Sequence, residues 1–188
     1  AKAREALDKE WDRLEEIKTW EMDNPQEYEV IRAAAEAEGK TMHFGRVFEI
    51  CVLKGSEFAP GDKRRKYKGR TVFGGNRVKD QNSTAALFED LGSSPATLQA
   101  SKCCHAYGLF PGHTIQQADA RQAYTHTVLG GEVQTWVRIP TNRQPKSWKA
   151  KGLKDPIVRQ VRNLYGHPDA GGYWEKYCEG ILKDRGFE

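Results

Sequence analysis

No run of the chain is apolar for the roughly 20 residues that a membrane-crossing helix requires. The basic, apolar and small-residue succession of a secretory leader is also missing. Neither membrane insertion nor export is expected, and a reducing intracellular setting, cytoplasm or nucleus, fits best. Cysteine is sparse: Cys51, Cys103, Cys104 and Cys178 show no C-x-x-C spacing and no accompanying His pattern, which excludes a structural zinc site of the usual kinds. The adjacent Cys103-Cys104 pair, on an expected helix, reads as core filling. Apolar residues make up only 38% of the 188 positions and charged ones 30%, a poor ratio for a self-sufficient globule. Five Trp, seven Tyr and seven Phe nevertheless argue against disorder. The length allows one domain with a sizeable core or part of a larger one. The chain starts without Met and ends on Gly186-Phe187-Glu188, as an excised segment would.

Apolar residues at 3, 7, 11, 14 and 17 mark an amphipathic first helix, followed by Thr19-Trp20. Asn24-Pro25-Gln26-Glu27 has the residues of a helix start, with Asn as N-cap, Pro at N1 and Glu at N3. That helix should end at Gly39. Gly39-Lys40-Thr41 is not a phosphate loop, because Ala34 occupies the position of its first glycine and a helix precedes it. Thr41 to Leu53 reads as a strand, Gly55 to Asp62 as a turn, and Thr71 to Phe73 as the returning strand. Ser93-Ser94-Pro95 opens a helix to about Tyr107. An apolar-polar run from Thr114 should form a strand ending at Asp119, with a second strand over Val133 to Ile139. A polar loop containing Trp148, a strand at 156–159 and an amphipathic helix from Gly171 to Phe187 complete the chain.

The net charge of +4 is modest, but its distribution is not. Between Lys63 and Lys79 there are eight basic residues (Lys63, Arg64, Arg65, Lys66, Lys68, Arg70, Arg77, Lys79) and no acid. Such a block can be a solvated face. Tyr67 and Phe73 interleave the charges and a glycine pair follows, which suits nucleic acid or nucleotide. Asp119 is open to two readings, a turn or capping residue and a metal ligand. Tyr124, five residues on, is either a core aromatic or part of a site. The backbone of Asp119, Ala120, Arg121 and Gln122 could cradle phosphate oxygens.

Several of these stretches resemble the reverse transcriptase domain of copia-type LTR retrotransposon polyproteins. Asp119, Ala123, Tyr124, Gly130, Val133 and Pro140 keep the order of its Asp-Val-x-x-Ala-Phe-Leu-x-Gly and Glu-Val-Tyr-Met-x-x-Pro runs. Tyr67 to Gly75 resembles its Tyr-Lys-Ala-Arg-Leu-Val-Ala-x-Gly strand, while Leu164-Tyr165-Gly166, Trp174 and Gly186-Phe187 match its Leu-Tyr-Gly…Trp…Gly-Phe segment. His167-Pro168-Asp169 departs from the Leu-Lys-Gln expected there. Gln160 sits where an apolar strand residue is usual, suggesting a decayed copy or a surface-exposed turn.

The resemblance implies an α+β fold: a fingers hairpin plus the first part of a right-hand polymerase palm, truncated before the Tyr-x-Asp-Asp hairpin. It divides the chain into N-terminal helices (1–40), a fingers-like hairpin and helix (41–112) and the start of the palm (113–188). It implies that Asp119 is catalytic and binds Mg²⁺ or Mn²⁺ in the complete enzyme. It further implies that Lys68, Arg70, Ala120, Arg121, Gln122, Tyr124 and Gly166 surround the dNTP, with Tyr124 beneath the sugar as a gate against a 2′-hydroxyl. Lys63, Arg64, Arg65, Lys66, Arg77 and Lys79 would contact the RNA or DNA template-primer. The remaining palm and thumb would be covalent partners. The chain contains no Asp-Asp pair, so one carboxylate is left where two-metal phosphoryl transfer needs several, and the segment is expected to be inactive alone. Two alternatives stay open: a domesticated nucleic-acid-binding module without chemistry, and a structural remnant in a larger assembly.

Overall fold

A computed structural model describes residues 1–88 and 96–187; the Ser93-Ser94-Pro95 helix start lies outside them. The elements are α1 (Lys2–Glu16), β1 (Gln26–Glu27), α2 (Tyr28–Glu38), β2 (Met42–Lys54), β3 (Lys66–Phe73), α3 (Leu98–Tyr107), β4 (Gln134–Arg138), α4 (Lys146–Ala150), β5 (Pro156–Arg159) and α5 (Ala170–Asp184). The fold is α+β. Its sheet runs β1-β5-β4-β2-β3, with β2 and β4 parallel and the other pairs antiparallel. Strands from all three anticipated segments thus share one sheet.

The central strands are apolar on both sides because both faces are covered. Phe44, Trp136 and Ile157 pack with Tyr28 and Ile31 of α2. Val47, Phe73, Val137 and Val158 pack on the other side with Trp11 and Leu14 of α1, Trp20, Trp148 and Leu164. Trp11 stacks on Trp20 with centroids 4.8 Å apart, and such a pair adds about 0.5–1.5 kcal/mol beyond its buried area.

The β2–β3 hairpin extends past the sheet, and α1 lies across it. Gly69 on β3 is the contact point: a Cβ there would run into the carbonyl oxygen of Ala6 and lie 2.9 Å from Leu7 Cα. Gly69→Ala is therefore expected to cost about 1–3 kcal/mol by forcing helix and strand apart. Urea midpoints measure this, and an unchanged midpoint would mean that α1 is not seated on β3.

Several sequence expectations are corrected. Asn24 does not cap α2. Residues 26–27 pair with β5, Tyr28 N donates to Asp155 O, and Glu27 takes the amides of Lys154 and Asp155 at 2.9 Å, so the helix starts at Tyr28. Gly39 ends α2 in the left-handed conformation (φ 63°), as expected. The returning strand is longer than anticipated, because Lys66 to Arg70 pair in register with Ile50 to Lys54. The polar loop contains α4, whose Trp148 is 3% exposed. Gln160 is not surface-exposed: it is 3% exposed, its amide N–H bonds Thr135 O, and its side chain donates to Arg162 O. Cys103 and Cys104 are exposed, since no residue of α3 is buried.

Candidate functional site

The residues expected around a nucleotide divide into a group that converges and a group that does not. Convergence begins on β3. Its pleat buries Gly69, Thr71 and Phe73 and leaves Lys68 and Arg70 exposed. Phe73 N donates to Tyr165 O at 2.7 Å, which seats the 164–166 turn beside the end of β3. Gly166 takes φ +88°, and a Cβ on it would strike Phe73 O and approach Val72 Cγ1 to 2.9 Å. The close approach and the positive φ both demand glycine.

Tyr165 is the hub. The Arg70 guanidinium lies over its ring at 5.2 Å, a cation–π arrangement. The Tyr124 ring meets it edge-on at 4.9 Å. Tyr124 belongs to a 3₁₀ turn over Ala123–His126, preceded by Gln122 in the left-handed region (φ 56°). Buried threonines lock this turn: Thr125 Oγ1 donates to Gln122 O and Thr127 Oγ1 to Tyr124 O. From below, Asn163 Nδ2 donates to Thr127 Oγ1 at 2.8 Å, while Arg162 reaches Ile17 O, Thr125 O and His126 O. Gln122, Tyr124, Tyr165 and Arg70 thus occupy one surface.

A second wall comes from α1. Gln122 Nε2 donates to Glu10 Oε2 at 3.2 Å, and Glu10 pairs with Arg13 at 3.7 Å. Burial raises the Glu10 pKa, opposed by Arg13, Lys68 and Arg70 nearby. A shallow groove of about 970 Å³ runs here between α1 and β3, with Glu10, Arg13, Tyr67, Lys68 and Gln122 among its lining. Sequence reading missed Glu10 and Arg13. A signal was present, because Glu10 falls at helical spacing from Ala3, Leu7 and Leu14, a charge inside an apolar stripe.

Asp119 is not at a strand end. Residues 113–120 are irregular and exposed, so Asp119 and Ala120 project into solvent. The run carries one large aliphatic, Ile115, which packs on Gly108 at the end of α3, leaving no alternating face to hold it on a sheet. Arg121 is exposed, and its carbonyl oxygen lies 2.9 Å from His126 Nε2. Among the described residues no three His, Cys, Asp or Glu side chains are grouped to hold a metal. The described residues do not fit a divalent-ion pair.

The basic block is also divided. Arg64 forms a bidentate pair with Asp62 (3.0 and 2.7 Å) and lies 3.5 Å from the Phe58 ring centroid. Arg65 donates to Phe58 O. These two build the turn and are occupied there. Lys63, Lys66, Lys68, Arg70, Arg77 and Lys79 are exposed.

Behind the 164–166 turn His167, from the stretch that departs from the expected Leu-Lys-Gln, meets His43, which the sequence did not single out. His43 and His167 are 4% and 5% exposed and share Phe88, with ring centroids 4.4 and 5.4 Å from it. His167 Nδ1 accepts from Asp169 N, and Nε2 lies 3.5 Å from Thr135 Oγ1. Burial, aided by His43, lowers the His167 pKa from 6.5 to about 4. Above pH 6.5 its imidazole is neutral in folded and unfolded chains alike. Between 6.5 and about 4 the unfolded chain takes a proton that the fold refuses. Stability should therefore fall by about 3 kcal/mol over that window. Denaturation midpoints measured down this range should show the loss, and His167→Leu should flatten it; an identical slope in the variant would contradict the assignment.

No protein-family model, curated protein or solved structure matches the chain.

Proposed function

We propose that the chain is the fingers and first palm portion of a copia-type RNA-directed DNA polymerase, holding dNTP and template-primer within a larger enzyme. One observation carries this reading: Arg70 of β3 lies over the Tyr165 ring that Tyr124 also meets, and Lys68 shares a groove with Gln122, although these segments are far apart in sequence. In this reading Lys68 and Arg70 take the triphosphate, Tyr165 aims Arg70 by cation–π contact, and Tyr124 lies under the sugar. Asp119 would enter its catalytic role only with the remaining palm carboxylates beside it.

A second reading, a nucleic-acid-binding module without chemistry, is favoured by the isolation of Asp119 among the described residues. Sugar discrimination separates the two. The chain should bind dATP more tightly than ATP, by about tenfold if Tyr124 excludes the 2′-hydroxyl, and Tyr124→Ala should erase most of the difference. Equal affinity for both nucleotides in the unaltered chain would remove the gate and favour the module.

A further inference from the structure

A second positive region lies at the far end of β4, outside the site just described. The loop 141–155, with α4 inside it, closes a groove of about 590 Å³ against β2. Its lining includes Val47, Ile139, Trp148 and Leu153, and Trp148 is buried, so it is a floor and not a stacking platform. Lys146, Lys149 and Lys154 stand exposed around it, and none pairs with a carboxylate among the described residues. Lys146 and Lys149 are three apart on α4 and share a face. The acid at the groove, Asp155, is committed to Arg138 at 2.6–3.1 Å, and Arg138 also stacks on Tyr28 at 4.2 Å. The Glu27 carboxylate is turned to the amides of Lys154 and Asp155.

This groove is continuous with the hairpin. Arg46, Phe48, Ile50 and Val52 alternate on the exposed side of β2, with Ile50 opposite Arg70 and Val52 opposite Lys68. Arg46 also lines the groove, and its guanidinium lies 5.7 Å from the Phe48 ring. Arg46 therefore stands on the same side of β2 as the hairpin cations Lys68 and Arg70, separated from them by Phe48, Ile50 and Val52, and opens onto the groove that Lys149 lines.

We propose that the groove is a second nucleic-acid subsite, where Lys146, Lys149 and Lys154 take backbone phosphates of a strand arriving from the hairpin across Arg46. This rests on the nucleic-acid reading above and extends it to a surface that reading does not use. Phosphate suits the chemistry better than the carboxylates of an acidic peptide. A carboxylate is best held by a free arginine fork; Arg138 is locked to Asp155 and Arg46 lies over the Phe48 ring, whereas the groups exposed around the groove are lysine point charges.

The test uses the full chain with labelled oligo(dT) of two lengths, about 6 nucleotides to fill the hairpin and about 20 to reach the groove. The variants are Lys146→Ala, Lys149→Ala, Lys154→Ala combined, and the same three positions changed to Arg. The alanine variant should bind the long strand about tenfold more weakly and flatten the slope of log affinity against log salt by about 2. Short-strand affinity should not change, and the arginine variant should bind as the parent does. A long strand bound equally by parent and alanine variant overturns the groove while leaving the hairpin reading intact. Failure of the parent to bind either strand overturns both. Displacement of the long strand by polyglutamate from the parent, with no matching loss in the alanine variant, would make the groove a peptide site and overturn the proposal.

Discussion

Gly166→Ala should abolish nucleotide binding and destabilise the chain by about 3 kcal/mol or more. Two costs combine. An L side chain in the left-handed region costs about 1–2 kcal/mol, and Gly166 sits there at φ +88°. The new Cβ would also enter the space of Phe73 O, with Val72 Cγ1 only 2.9 Å away. Strand backbone cannot retreat cheaply, because Phe73 N donates to Tyr165 O and Val47 pairs with Phe73 across the hairpin. Overpacking of this kind adds about 1–3 kcal/mol. Relief would swing the turn outward, carrying the Tyr165 ring away from Arg70 and Tyr124. Thermal melts and dATP binding should both register the loss; a variant with parental stability would show that the turn does not lie against β3.

Lys68→Ala with Arg70→Ala should weaken binding of RNA–DNA duplex and of dATP by at least about a hundredfold, at two charge-assisted contacts of about 1.5–3 kcal/mol each. Each lost phosphate contact also lowers the salt slope on duplex by about 0.9, so the double variant should show a slope shallower by about 2. Fold should survive, because both side chains are exposed and the buried face of β3 is Gly69, Thr71 and Phe73. Arg64→Ala is the control. Its charge is held by Asp62 and its plane by Phe58, so duplex affinity should change little. Equal losses in both variants would mean that the block acts only through its total charge.

The hairpin was legible because local and global preferences agree along it: β-branched and aromatic residues in β2, Pro60-Gly61 in the turn and Thr71 to Phe73 in the return, while the basic residues concealed the first half of β3. The Gly39 cap was legible for the same reason. What failed depends on partners distant in the chain. Asn24-Pro25 has every local mark of a helix start, yet Glu27 is taken by the amides of residues 154 and 155. Gln160 read as a decayed strand position or a surface-exposed turn, and its pairing with Thr135 O and Arg162 O explains its burial. Trp148 lay in a stretch of lysines whose polarity concealed a single core anchor.

In the site, the cationic strand and Tyr124 were read from spacing and resemblance. The ring of Tyr165 that joins them was not, because a turn's role as hub is set by what packs on each side. The expected strand before Asp119 failed on composition: Ile115 is the one large aliphatic in 114–120, too little to bury a face.

The central claim, that β3, the 122–124 turn and Tyr165-Gly166 form one nucleotide site, is tested most directly by titrating dATP into isotope-labelled chain and following backbone amide shifts. The account predicts saturable shifts at Lys68 to Arg70, Gln122 to Tyr124 and Tyr165-Gly166 with a single affinity. Shifts confined to the hairpin, with residues 122–124 and 165–166 unmoved at saturation, would contradict it.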